Sequence, residues 1–182
     1  MIRLLSHRAT SLSGRRRSAS RQPNGFTLME LLIVMAIIAI LMLIAIPTVS
    51  SLTKKANDTS AIQSIHAIVQ AQTMYSSNYP STGFACSLTV LGGDPKSGAP
   101  SAASAQILPP DLVAGVKSGY IFSISNCTKK NLNGNDLVTG YQVTAVPITV
   151  GQTGDKGYCA DQTNAIKFDP AGGTNCVQNM GQ

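Results

Sequence analysis

Few residues in this chain could carry chemistry. Beyond residue 25 stand one glutamate (Glu30), one histidine (His66), seven aspartates and four cysteines (Cys86, Cys127, Cys159 and Cys176). Nucleophilic or acid–base catalysis needs a nucleophile, a base in reach and a group that orients the base. A single histidine, and a single glutamate at the mouth of an apolar run, assemble no such set, so no catalytic residue and no cofactor are expected. No P-loop or dinucleotide-binding glycine pattern occurs. Zinc would call for closely spaced ligands, but there is no Cys-x-x-Cys pair and His7 and His66 lie far from the cysteines. Asp155, Asp161 and Asp169 could offer oxygen ligands to calcium. Their spacing fits no calcium loop, aspartate is common in turns, and no metal is expected. What is left is Glu30, an isolated carboxylate at membrane depth, which is expensive and therefore a functional residue by default.

The element that must position Glu30 is an apolar run of 16 residues, Leu31 to Ile46, followed by Pro47. As a helix, residues 26–49 would reach about 36 Å at 1.5 Å per residue, enough to cross a bilayer. Before the run lie 24 residues with all six arginines of the chain and no acid. Basic flanks are retained in the cytoplasm, so residues past 49 are expected to be translocated. An ordinary secretory signal cut near Ser50 and Ser51 fits poorly, because the run exceeds the usual apolar segment and a glutamate opens it. An uncleaved single-span anchor carrying a small binding domain is the other reading of these features.

The formal charge of +6 belongs to the leader. Beyond Gly25, eight lysines face eight acids, and the side chains sum to zero. The basic excess thus concerns topology, and no nucleic-acid contact is expected from charge.

Gly25-Phe26-Thr27-Leu28-Met29-Glu30, the uninterrupted run and Pro47 together resemble the processing and assembly signature of type IV pilins and the related pseudopilins. The resemblance implies cleavage by a prepilin peptidase after Gly25, N-methylation of Phe26, and filament assembly directed by Glu30, which pairs with the N-terminal amine of a neighbouring subunit. Pro47 matches the family's helix-bending proline. The implied partners are like subunits and minor pilins in one polymer, the peptidase/methylase, an inner-membrane assembly platform and membrane lipid. The precursor would sit in the inner membrane with its N-terminus inside, and the filament would then span the periplasm or reach the cell surface. A pilus subunit is favoured, with a pseudopilin of type II secretion as the alternative. Major pseudopilins carry a C-terminal calcium site, and none is evident in this sequence.

The rest of the chain predicts an α+β fold, a long bent N-terminal helix packed on a small antiparallel head. Residues 1–25 form the leader, 26–50 the transmembrane and assembly half of the helix, 51–76 its amphipathic half, and 77–182 the head. Past Pro47, apolar Val49, Leu52, Ala56, Ile62, Ile65 and Val69 recur at helical spacing, with Lys54, Lys55, Asn57 and Asp58 opposite. His66 falls at the edge of that stripe. Residues 76–119 are rich in Ser, Gly, Pro and Ala and predict an irregular surface loop, apart from a short helix or strand turn at Leu88–Leu91 and at Leu112–Val116. Alternation at Tyr120–Ser125 and Tyr141–Pro147, then at Gly157–Asp161 and Ala165–Asp169, predicts three or four antiparallel strands. Four cysteines outside the cytoplasm read as two disulfides with three possible pairings. Of these, Cys86–Cys127 and Cys159–Cys176 are expected, tying the long loop to the sheet and the tail to its hairpin.

Overall fold

The computed structural model describes residues 25–94, 96, 98–132 and 134–180, without the side chains of 44–48 and 135. The leader expected over 1–25 therefore lies outside the described residues except for Gly25, and so does the side chain of Pro47. One helix, α1 (Leu28–Asn78), runs for 51 residues and continues through position 47. Its ends lie within two residues of 26 and 76, the outer ends expected for its two halves. The chain divides into two compact units, Met1–Leu41 and Met42–Gln182.

In the first unit, the described part of α1 exposes its apolar side chains all round. Phe26 and Leu28 are each 82% exposed, and Leu31, Leu32, Met35 and Ile40 are also open. A helix apolar on every side belongs in a membrane or in a helical interface rather than in water. Among the described residues, no helix is long and apolar enough to cross a membrane.

In the second unit, α1 buries Ala61, Ser64, Ile65, Ile68, Gln72 and Tyr75 against a six-stranded sheet. The stripe expected to begin at Val49, Leu52 and Ala56 is exposed there, and apolar packing starts only at Ala61. The physical reason is polar. Lys54 pairs with Asp155 at 3.1 Å, and the Asn57 amide donates to the Thr153 carbonyl at 2.8 Å. Asp58 accepts from the Tyr120 hydroxyl, and the Ser60 hydroxyl donates to that of Ser118. The side of the helix that pattern alone would turn to water is the side bonded to the head.

All strand pairs are antiparallel, in the order β1 (Val116–Lys117), β2 (Tyr120–Leu132), β3 (Asn135–Pro147), β4 (Gly157–Asp161), β5 (Ile166–Asp169) and β6 (Gln178–Asn179). Among the described residues the three or four strands expected are thus six, with a two-residue strand added at each edge. Tyr120 and Phe122 point into the core with Val143 and Ala145 of β3 and Tyr158 and Ala160 of β4. The two long strands form a hairpin closed by a tight turn in which Gly134 takes φ +85°. Its register shifts between Ser125 and Lys129, where Asn126 adopts φ +51° and bulges the strand.

Residues 79–119 carry the short elements expected near Leu88–Leu91 and Leu112–Val116, but they differ from the surface loop expected around them in being packed into the core. They contain α2 (Leu88–Gly92), capped by the Ser87 hydroxyl accepting from the Val90 amide, and α3 (Pro110–Val113), opened by a proline at its first turn. Leu91, Leu108 and Leu112 from this stretch are buried in the main core. Gln72 of α1 holds it in place, donating to the Ala85 carbonyl at 2.7 Å and accepting from the Ala85 amide at 2.8 Å.

Candidate assembly site at the start of α1

Thr27 stands one residue before α1 and serves as its N-cap. The Glu30 amide donates to the Thr27 hydroxyl at 3.2 Å and lies 3.1 Å from the Thr27 carbonyl, and the Leu31 amide reaches that carbonyl at 3.3 Å. Satisfying these otherwise orphaned donors fixes where the helix starts and hence which face carries Glu30. The spacing Thr27-x-x-Glu30 is that of a capping box. Thr27 was legible in that spacing, yet attention to charge alone passes over it.

Around this cap every described side chain from Gly25 to Leu43 is exposed, including Glu30. A carboxylate in the first turn of a helix also sits at the positive end of the backbone dipole. The start of α1 therefore presents one acid on an otherwise apolar cylinder, next to the peptide bond joining Gly25 to Phe26. Such a surface can select a register, because only one position along it attracts a positive charge.

The remaining candidates fall elsewhere. Cys86 is bonded to Cys127 and Cys159 to Cys176, so the first bridge ties the segment before α2 to β2 and the second ties the tail to β4. Asp155 is engaged by Lys54; Asp161 accepts from the Thr163 amide and hydroxyl; and Asp169 accepts from the amides of Ala171 and Asn175. Hydrogen bonds from Thr163 hold the Asp161 carboxyl below the usual carboxylate range. Each of the three shapes its own turn or clamps α1, and they are not brought together. His66 is exposed and faces a cleft of about 780 Å³.

Residues 20–46 match the family model described as the prokaryotic N-terminal methylation motif. That match covers Gly25, Phe26, Thr27 and Glu30 and stops one residue short of Pro47. The chain is also 34% identical over 130 residues to the type IV wide pilus major component PilA4 of Thermus thermophilus, covering 70% of this chain and 99% of that protein. The chain belongs to the type IV pilin family. This pilin is a structural filament subunit and not an enzyme. No solved structure matches it.

Proposed function

We propose that this pilin is made as a membrane-anchored precursor, cut between Gly25 and Phe26, N-methylated at Phe26, and polymerised through residues 26–50 into a surface pilus. The observation that carries the reading is Glu30 in the first turn of an apolar helix, within a methylation motif. The apolar run from Leu31 to Ile46 suits a bilayer span of about 20 residues when the flanking turns are included. The likeness to a pilus component over nearly that protein's whole length supports a pilus rather than a secretion pseudopilus.

The same apolar surface serves twice, facing lipid in the stored subunit and neighbouring helices in the filament. Lipid tails are as apolar as leucine, so burial alone supplies little drive between these states. Glu30 supplies it instead. A carboxylate in the membrane costs about 2.5–3.5 kcal/mol on insertion scales at mid-bilayer, and less near the interface. Meeting the amine of a neighbour's Phe26 at about 4 Å would return roughly 4 kcal/mol at an effective dielectric of about 20. Thr27 holds the helix start so that this meeting occurs at one register.

The test is Glu30→Leu. The substituted precursor should insert and be cleaved as before, because the leader and the Gly25–Phe26 bond are untouched. N-terminal sequencing should begin Phe-Thr-Leu-Met in both proteins, and sheared-filament yield should collapse in the variant. Normal yield at a normal pool of processed subunit refutes an assembly role for Glu30, and a mature N-terminus near residue 50 refutes the pilin processing.

A further inference from the structure

The sheet has two faces, and one of them is only half covered. On the face turned away from α1, Thr144 and Cys159 are each 3% exposed, although neither belongs to the main core. The chain's own tail covers them: Cys159 is bonded to Cys176 and its sulfur lies 3.5 Å from the Thr174 carbonyl. Two residues along β2, the next row on that face is Val116–Ile121–Val146, in register across three strands. This row is left largely open: Val116 is 52% and Ile121 44% exposed, Val146 is half-buried, and Ile148 just past β3 is 52% exposed. Single exposed apolar residues need no explanation, but a cross-strand row of branched side chains on an otherwise polar face does.

The opposite edge of the sheet carries a concave surface. There the cleft of about 780 Å³ opens between α1, through Ile62 and His66, and the β5–β6 edge, through Ala165, Ile166 and Met180. Its lining joins these apolar side chains to the His66 imidazole and the amides of Asn164 and Asn179. The strand order puts the row at the β1 end and the cleft at the β6 end.

We propose that the Val116–Ile121–Val146 row of one subunit docks in the α1/β5–β6 cleft of the next copy, forming the contact between heads in the filament. The inference rests on the filament reading above. A row and a cleft on opposite edges of one chain make a heterologous, head-to-tail contact, which propagates into a helical polymer instead of closing as a pair. Size argues the same way. The cleft is lined by seven residues, against the roughly 20–30 residues per side of a stable complex. One such contact cannot hold two free subunits together, but it adds to every step of a polymer already joined through its helices. It thereby sets how heads stack without making the stored subunits associate through their heads.

The experiment places a photo-activated benzoylphenylalanine at Ile121 in the full-length precursor and irradiates assembled filaments. Cross-links should join residue 121 to peptides spanning 62–66 or 164–180 of another copy. Links confined to other regions overturn the proposal. In parallel, Ile121→Lys should lower sheared-filament yield at least tenfold while processed subunit and both disulfides stay at normal levels. Ala165→Glu in the same chain should restore at least part of that yield by placing an acid in the cleft. Wild-type yield from Ile121→Lys, or no recovery with Ala165→Glu, sinks the head contact and leaves the pilin assignment standing. Absence of filaments from the unsubstituted chain would instead sink the assembly reading beneath it.

Discussion

Replacing Gln72 by leucine should unfasten residues 79–119 from α1. Gln72 is fully buried, and both ends of its amide bond the backbone of Ala85, at 2.7 and 2.8 Å. Leucine keeps the volume and adds apolar contact, but it leaves a buried N–H and a buried C=O without partners. An orphaned group costs about 1–3 kcal/mol, so two give about 2–6, with the added apolar burial offsetting about a third of that. A net loss of about 1.3–4 kcal/mol lowers Tm by roughly 3–15 °C in a chain of this size. The assay is far-UV circular dichroism of the oxidised, processed subunit in detergent, with hydrogen exchange followed at the Ala85 amide. Gln70→Leu, one of the exposed positions on the same helix, is the control and should shift stability by less than about 0.5 kcal/mol. The Ala85 amide should lose protection before the sheet does, because Ala85 adjoins Cys86 and the bridge to Cys127 keeps the segment near β2. An unchanged Tm with a still-protected Ala85 amide refutes the reasoning.

Three further outcomes follow from the head. Burial, aided by nearby aspartates, pushes Tyr141 and Tyr158 up to about 12, and burial raises Tyr120 and Tyr75 as well. The neutral phenols favour the fold, so their contribution is whole below about pH 10, where unfolded tyrosine titrates, and is lost as pH climbs through about 12. Tyrosinate absorbance of the folded subunit should rise late, and ionisation of all five tyrosines near pH 10 in a folded chain would contradict this. Gly83→Ala should cost more than about 1 kcal/mol, since Gly83 has φ +80° and a Cβ would meet the Val138 carbonyl oxygen at 2.1 Å. A melting curve matching the unsubstituted protein would show that this segment shifts freely. Non-reducing peptide maps should show Cys86–Cys127 and Cys159–Cys176, and a Cys127–Cys159 peptide would refute the pairing.

Local patterns made the helix and the main strands legible. The motif around Gly25 to Glu30 and the alternation at Tyr120–Ser125 each act over a few residues, and for that reason the family and the strand could be read from them. The face of α1 did not, because Lys54, Asn57 and Asp58 find partners roughly a hundred residues away, or 62 for Tyr120, and no local period reports them. Leu91, Leu108 and Leu112 are separated by Gly, Pro and Ser, so their shared burial has no periodicity to betray it. Strands of two residues, β1 and β6, are too short to alternate. The assembly site proposed at Glu30 stood out by its charge, while the cap at Thr27 required seeing spacing to a backbone amide.

The two bridges also decide how the head responds to a pull. The segment closed by Cys86–Cys127 spans 41 residues and that closed by Cys159–Cys176 spans 17. Drawn out at about 3.4 Å per residue, the longer segment alone stores roughly 140 Å of slack that tension cannot release while the bridge holds. Between the bridges, the extensible chain is the stretch from 128 to 158, and its core is β3, paired to β2 along nearly its whole length. In a head pulled from its two ends, the β2–β3 hairpin is the part of the sheet between the bridges that can lengthen, and it must part bond by bond.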